Sequence, residues 1–211
     1  REVTEDVYAG LERMVDADRA EAIKLTTRAA VRRVARYSFE FARKNGRRRV
    51  TCAHKANVLG LTDGMFLECC REVAAEFPEI AFDDCMIDAA AYALVKTPQR
   101  FDVIVTSNQY GDILSDLGAG LMGSLGLAPG ANIGEAGAMF EASHGAAPDI
   151  AGKGIANPIA LILSGALLLR HAGALAEAER VEAAVRSVVI ERKILTPDLG
   201  GQASTEALTA A

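Results

Sequence analysis

Asp112 and Asp116 stand four residues apart in NQYGDILSDLGAGLMG, residues 108–123. That spacing puts both carboxylates on one face of a helix, with Ile113, Leu114 and Leu117 on the other side. Two like charges one turn apart disfavour a bare helix by about 0.2–0.5 kcal/mol. A divalent cation removes that cost, because Mg²⁺ takes carboxylate oxygens and keeps open positions for water and substrate. Aspartate also suits a helix N-terminus for dipole reasons, so spacing alone leaves both readings open. Asp88, in MIDAAAY at a strand-to-helix junction, adds a third acid where α/β folds tend to place functional groups. Lys55 closes another strand in HKAN. A lysine beside a metal can lose its proton more readily and work as acid or base.

The same stretch spells GxGxxG at Gly118, Gly120 and Gly123. A dinucleotide loop of that pattern follows a strand directly and opens a helix. Here the preceding strand, Phe101–Thr106, ends a dozen residues earlier, so these glycines read as helix packing and helix exit. The chemistry is assigned to the aspartates.

The elements that must position these residues alternate. Apolar spacing predicts helices over 27–45 (with Gly46 as C-cap), 63–77, 88–96, 112–121, 157–171 and 174–190. Strands are expected over 49–53, 80–87, 101–106 and 138–142. The pattern is α/β with at least part of a parallel sheet. A glycine-rich band, 118–137, is the best candidate for a domain crossing, which gives expected domains of 1–120 and 121–211. Met86, Met122 and Met139 read as core filler, and Tyr92 as packing. His54 reads as a packed strand-end histidine and His171 as a complement to a helix C-terminus.

The chain has 211 residues, enough for one large or two small domains. Its net charge of -5 leaves no electrostatic footprint for nucleic acid, and Arg47-Arg48-Arg49 reads as a solvated strand approach. Four cysteines without CxxC spacing (Cys52, Cys69, Cys70, Cys85) suit a reducing compartment, taken here as the cytoplasm. The two uncharged stretches, 117–134 and 154–169, are broken by glycine, Asn132, Asn157 and prolines, and fall short of the roughly 20 apolar residues of a membrane span. The chain opens on Arg1-Glu2 without a methionine and so looks cut.

With these residues in hand, the chain resembles the β-decarboxylating dehydrogenases: isocitrate, homoisocitrate and 3-isopropylmalate dehydrogenases. The matching motifs are REVTEDVYAG, HKAN, the Asp of MIDAAA, NQYGDILSD, GANIGE and HGAAPDIAGKGIANP, in that order along the whole chain. The flavour is that of NAD-dependent isocitrate dehydrogenase. Val3 departs from the usual Asn, and Ala146 from the usual Ser or Thr. The resemblance implies an isopropylmalate/isocitrate dehydrogenase-like fold with parallel and mixed sheet. It implies a small dimerisation domain with a clasp segment, and part of a large domain carrying the NAD-binding loop. It also implies an upstream segment whose side chains grip the substrate's distal carboxylate.

For the site, the resemblance implies oxidative decarboxylation of a 2-hydroxy acid, isocitrate first and homoisocitrate or 3-isopropylmalate as alternatives. Asp88, Asp112 and Asp116 would bind Mg²⁺ or Mn²⁺. Lys55 would take the hydroxyl proton, Tyr8 would return one to the enol carbon, and Arg1 would pair with substrate carboxylate. Lys55 and Asp88 would come from the neighbouring subunit of a homodimer or higher homo-oligomer. NAD would lie along His144, Gly145, Ala146, Ala147 and Pro148. Asp149 would bind the ribose hydroxyls, and with Ile150 it stands where NADP enzymes carry lysine and tyrosine. Asn157 would meet the adenine edge and Asn57 the nicotinamide. The alternative class is a non-catalytic truncated or regulatory subunit.

Overall fold

A computed structural model describes all residues, 1–211. The chain divides into two compact units, Arg1–Leu117 and Gly118–Ala211.

The first unit is built on a three-stranded parallel sheet in the order β4-β3-β5 (β3 Arg49–His54, β4 Ala81–Met86, β5 Val103–Thr106). Alternation along the strands sends Val50, Cys52 and Val105 to one face, and Ala53 and Ile104 to the other. Helices α1 (Arg28–Lys44) and α2 (Thr62–Ala74) cover the first face, packing Val31, Phe39, Cys70 and Val73 onto it. Phe39 is fully buried and stacks on Phe77 at a centroid distance of 5.3 Å. Truncating such a ring costs about 3–5 kcal/mol. Helices α3 (Ile87–Lys96) and α4 (Asn108–Met122) close the other face through Ala90 and Leu114. α1 begins where predicted because the Thr27 hydroxyl accepts the Ala30 N–H, and it ends at Asn45 with Gly46 left-handed at φ 64°.

Parallel register brings the carboxyl ends of the strands together: Ala53 pairs with Cys85 and Thr106, and His54 with Met86. Lys55, Asp88 and Ser107 therefore all follow the same edge of the sheet, where ligands bind in open α/β sheets. A hairpin of β1 (Glu12–Asp16) and β2 (Arg19–Ala22) precedes α1, with every residue exposed.

In the second unit, β6 (Pro129–Ile133) and β7 (Ala138–Ala142) form an antiparallel ribbon that α5 (Ile159–His171) packs across. α6 (Leu175–Glu191) lies on α5, joined by Arg170 to Glu182 through two hydrogen bonds of 2.7 Å. The short α7 (Thr205–Thr209) ends the chain. No helix is long and apolar enough to cross a membrane.

Two sets of expectations are corrected and one is borne out. Met122, Met139 and Tyr92 are not packed inside: they are 57%, 54% and 68% exposed, because each lies on the outer side of its element. The helix expected from 157 starts at Ile159, since the residue before a proline is disfavoured from the α region and the Asn157 side-chain carbonyl accepts the Ile159 N–H at 3.0 Å, as a cap does. Gly118 and Gly120 lie inside α4 and Gly123 follows its end at φ 108°, so the GxGxxG pattern is helix and helix exit.

Candidate functional site

REVTEDVY folds against the start of α4 because its own acids tie it down. The buried Glu2 carboxylate accepts the Thr4 N–H at 2.8 Å and the Glu5 N–H at 3.0 Å, and the Glu2 N–H donates to Thr106 O at the end of β5. Glu5, also buried, accepts the Thr27 N–H and hydroxyl at 2.7 and 2.8 Å. Asp6 follows in a left-handed conformation at φ 75°. Its carboxylate accepts the Val7 N–H at 2.8 Å and the Gln109 N–H in the first turn of α4 at 3.1 Å.

The outcome is a three-residue cluster. The Tyr8 hydroxyl and the Arg1 guanidinium both donate to Asp112. Those two bonds, Tyr8 first, hold the Asp112 carboxyl below the usual carboxylate range, while the same bond pushes the Tyr8 phenol up. Gly111 makes the packing possible: a Cβ there would stand 2.3 Å from Arg1 Cβ. Asp116 lies one turn further along α4, exposed.

A second cluster sits at the end of β3. Lys55 Nζ donates to Asp88 Oδ2 at 2.8 Å, and that bond lowers the Asp88 pKa. The backbone N–H of Lys55 donates to Asp63 Oδ2 at 2.6 Å. His54 is 2% exposed, with Nε2 3.2 Å from Asp84 Oδ2 and Nδ1 accepting the Ala56 N–H, a packed strand-end histidine. Asn57 is exposed just beyond.

The chain does not gather its three candidate metal ligands. No group of three or more His, Cys, Asp or Glu side chains comes close enough to hold an ion. Asp112 and Asp116 share α4, while Asp88 is engaged by Lys55. The donors still fit a hard cation: they are carboxylate oxygens, two on one helix, and Asp112 is kept ionised.

In the second unit the candidate nucleotide residues form one exposed loop. His144, Gly145, Ala146, Ala147, Pro148 and Asp149 are exposed and Ile150 is half-buried. Ala147 takes a left-handed φ of 44°, which turns the chain into a single helical turn, Pro148–Ile150. His144 Nδ1 lies 3.0 Å from Gly145 O. Asn157 differs from its neighbours: it is buried, its carbonyl accepts the Ile159 N–H at 3.0 Å, and its amide donates to Asp198 Oδ2 at 2.9 Å. Its side chain thus also serves the start of α5, and Gly126 must be glycine for it to fit, since a Cβ there would stand 2.6 Å from Asn157 Cβ.

Sequence reasoning missed Lys24, Asp6 and Asp63. Lys24 Nζ lies 2.7 Å from Asp63 Oδ1, 3.7 Å from Asp6 Oδ2, 3.3 Å from the Ser107 hydroxyl and 4.1 Å from the Tyr110 ring centre. The angles at Asp63 Oδ1 fall outside hydrogen-bond geometry, so charge rather than a directed bond compensates that buried oxygen. Burial, and then the charge of Asp63, push the Tyr110 phenol up to about 12. Nothing in the sequence marked them for the site: Asp63 stood only as the first residue of the helix expected over 63–77.

Comparison with known proteins gives the family. The isocitrate/isopropylmalate dehydrogenase family model matches residues 1–211. The chain is 56% identical to 3-isopropylmalate dehydrogenase of Archaeoglobus fulgidus, over 97% of this chain and 62% of that protein. It is 51% identical to the mitochondrial catalytic subunit 5 of NAD isocitrate dehydrogenase from Arabidopsis thaliana, over 100% of this chain and 57% of that one. The crystal structure of isocitrate dehydrogenase from Methylococcus capsulatus superposes with a TM-score of 0.93 at 50% identity, covering 98% of this chain and 63% of that chain. The chain therefore spans 57–62% of the length of these two curated relatives. The full-length family match, the half-identical relatives and the shared fold together make this chain a member of the isocitrate/isopropylmalate dehydrogenase family.

Proposed function

We propose that the protein oxidises and decarboxylates a 2-hydroxy acid bearing a neighbouring carboxylate, with NAD as hydride acceptor and a divalent cation. Isocitrate is our first substrate; 3-isopropylmalate stands beside it on the strength of the relative at 56% identity, and homoisocitrate is the third member of the set. The observation that carries the reading is the pair of clusters along the sheet's carboxyl edge, Arg1–Tyr8–Asp112 and Lys55–Asp88.

A bound Mg²⁺ or Mn²⁺, held by Asp112, Asp116 and Asp88, would supply Lewis acidity at the hydroxyl and α-carboxylate. Arg1 turns from Asp112 to a substrate carboxylate, using its planar fork. Lys55 takes the hydroxyl proton, and Tyr8 returns a proton to the carbon that loses CO₂. Because Asp88 does not join Asp112 and Asp116 within one chain, we assign Lys55 and Asp88 to the site of a second copy in a homo-oligomer. The Asp149 carboxylate can accept from both ribose hydroxyls and would repel a 2′-phosphate, which supports NAD over NADP. On this reading residues 1–120 serve dimerisation, with β1–β2 as clasp, and 121–211 serve the nucleotide. The cytoplasm suits its four free cysteines.

The alternative, a regulatory subunit without turnover, is disfavoured by Tyr8, Lys55, Asp88, Asp112 and Asp116 all being present. The test is steady-state kinetics of the natural full-length protein with isocitrate, homoisocitrate and 3-isopropylmalate, each with NAD and Mn²⁺. Turnover of one acid well above the other two supports the reading. No turnover with any of them refutes it.

A further inference from the structure

We propose that Lys24 is a positioning residue for the reaction: its ammonium holds Asp63 and Asp6 in place, and each of those aspartates fixes the backbone beside one cluster of the site. The inference rests on the roles proposed above for Lys55 and Asp112.

The geometry supports both halves. Asp63 spends one oxygen on the Lys24 ammonium at 2.7 Å and the other on the Lys55 N–H at 2.6 Å. It is therefore the link that aims the Lys55 side chain off the end of β3. Asp6 faces Lys24 at 3.7 Å through the same oxygen that accepts the Gln109 N–H. That N–H lies in the first turn of α4, where no helical carbonyl is available, and Asp112 follows three residues later. Asp6 is also held at φ 75°, a conformation a non-glycine residue keeps only when its surroundings impose it. Lys24 and the two aspartates are almost wholly enclosed, with side chains 11%, 2% and 2% exposed, so water cannot replace any partner. A surface ion pair would matter little here, but a buried charge without its partner matters a great deal. Three stretches far apart in the chain meet at one ammonium, and two of them lead directly to proposed catalytic groups.

The experiment compares the natural full-length protein with Lys24→Met and with the double variant Lys24→Met/Asp63→Asn. The double variant removes the nearer of the two carboxylates left without a cation, and the asparagine keeps an oxygen for the Lys55 N–H, so it folds where the single variant fails. Amide hydrogen exchange is followed at Lys55 and Gln109, with Ala35 and Val50 in the core as references, beside kcat for the acid that the protein turns over. We expect exchange at Lys55 and Gln109 to quicken by about tenfold or more while Ala35 and Val50 hold. We expect kcat to fall by about 10- to 100-fold in the folded variant, in line with a small misplacement of reacting groups. A merely structural lysine would behave otherwise: all four amides would change together, or restored folding would restore kcat. Either outcome overturns the proposal, as does unchanged exchange at Lys55 and Gln109. If the unaltered protein turns over none of the acids, the proposed function fails by itself, and the exchange results still decide whether Lys24 holds the two backbones.

Discussion

Replacing Gly111 with alanine adds one methyl group at the most crowded point of the site. The new Cβ would stand 2.3 Å from Arg1 Cβ, 2.9 Å from Cδ and 3.1 Å from Cγ. Carbon atoms rest about 3.5–4.0 Å apart, so Arg1 must retreat by roughly 1.2 Å or more. Its main chain has little freedom to follow, because the next N–H, that of Glu2, is bonded to Thr106 O at 3.1 Å. The guanidinium is therefore carried away from Asp112 and from the place where it would meet a substrate carboxylate. A displacement of this size in a positioning group costs about 100-fold in kcat/KM, or about 2.7 kcal/mol of transition-state stabilisation. Stability should move far less. Alanine gains about 1 kcal/mol over glycine inside a helix, against about 1–3 kcal/mol for overpacking. The net change is small, and Tm should fall by no more than a few degrees. Steady-state kinetics and a thermal melt on the same sample check both. Arg1→Ala should lose a similar amount, and the two losses should not add, because they remove one interaction. Gly111→Ala with kcat/KM within threefold of the parent would refute the assignment of Arg1.

Three further outcomes follow from the same geometry. Asp112→Asn with Asp116→Asn should abolish Mn²⁺ binding by calorimetry, because two charged ligands become neutral; unchanged affinity would leave both as ordinary helix residues. Lys55→Ala and Asp112→Asn, each inactive alone, should regain activity when co-expressed, to about a quarter of the parent for random pairing of copies that share sites; no recovery would place all the residues in one chain. Asp149→Lys with Ile150→Tyr should raise kcat/KM for NADP relative to NAD, since a repulsive carboxylate gives way to two phosphate partners; an unmoved ratio would reject the ribose assignment.

Much of the fold was legible because burial imposes a period. α1, the three parallel strands and α5 carry apolar residues at helical or alternating spacing, and their observed bounds lie within a few residues of those expected. The β1–β2 hairpin carries no such signal, since every residue of it is exposed in the chain. β6 was hidden in the glycine-rich band, where PGANI offers neither alternation nor branched side chains beyond Ile133. Met122, Met139 and Tyr92 show the limit of composition: residue type does not say which side of an element faces out. In the site, residue types and motif spacing named Asp112, Asp116, Asp88 and Lys55. They could not show that Arg1 and Tyr8 close on Asp112 across 111 and 104 positions of chain. Lys24, Asp6 and Asp63 were invisible for the same reason, since only the folded sheet edge brings them together.

On the proposed reading, hydride transfer and loss of CO₂ both occur on one 2-hydroxy acid. The most direct test uses the preferred acid deuterated at its hydroxyl-bearing carbon and labelled in the carboxylate that leaves, with the natural full-length protein, NAD and Mn²⁺. One labelled CO₂ and one deuterium on the reduced nicotinamide are expected per turnover, with both lost in Asp112→Asn. Reduced nicotinamide formed without labelled CO₂, or labelled CO₂ released without reduction, would contradict it.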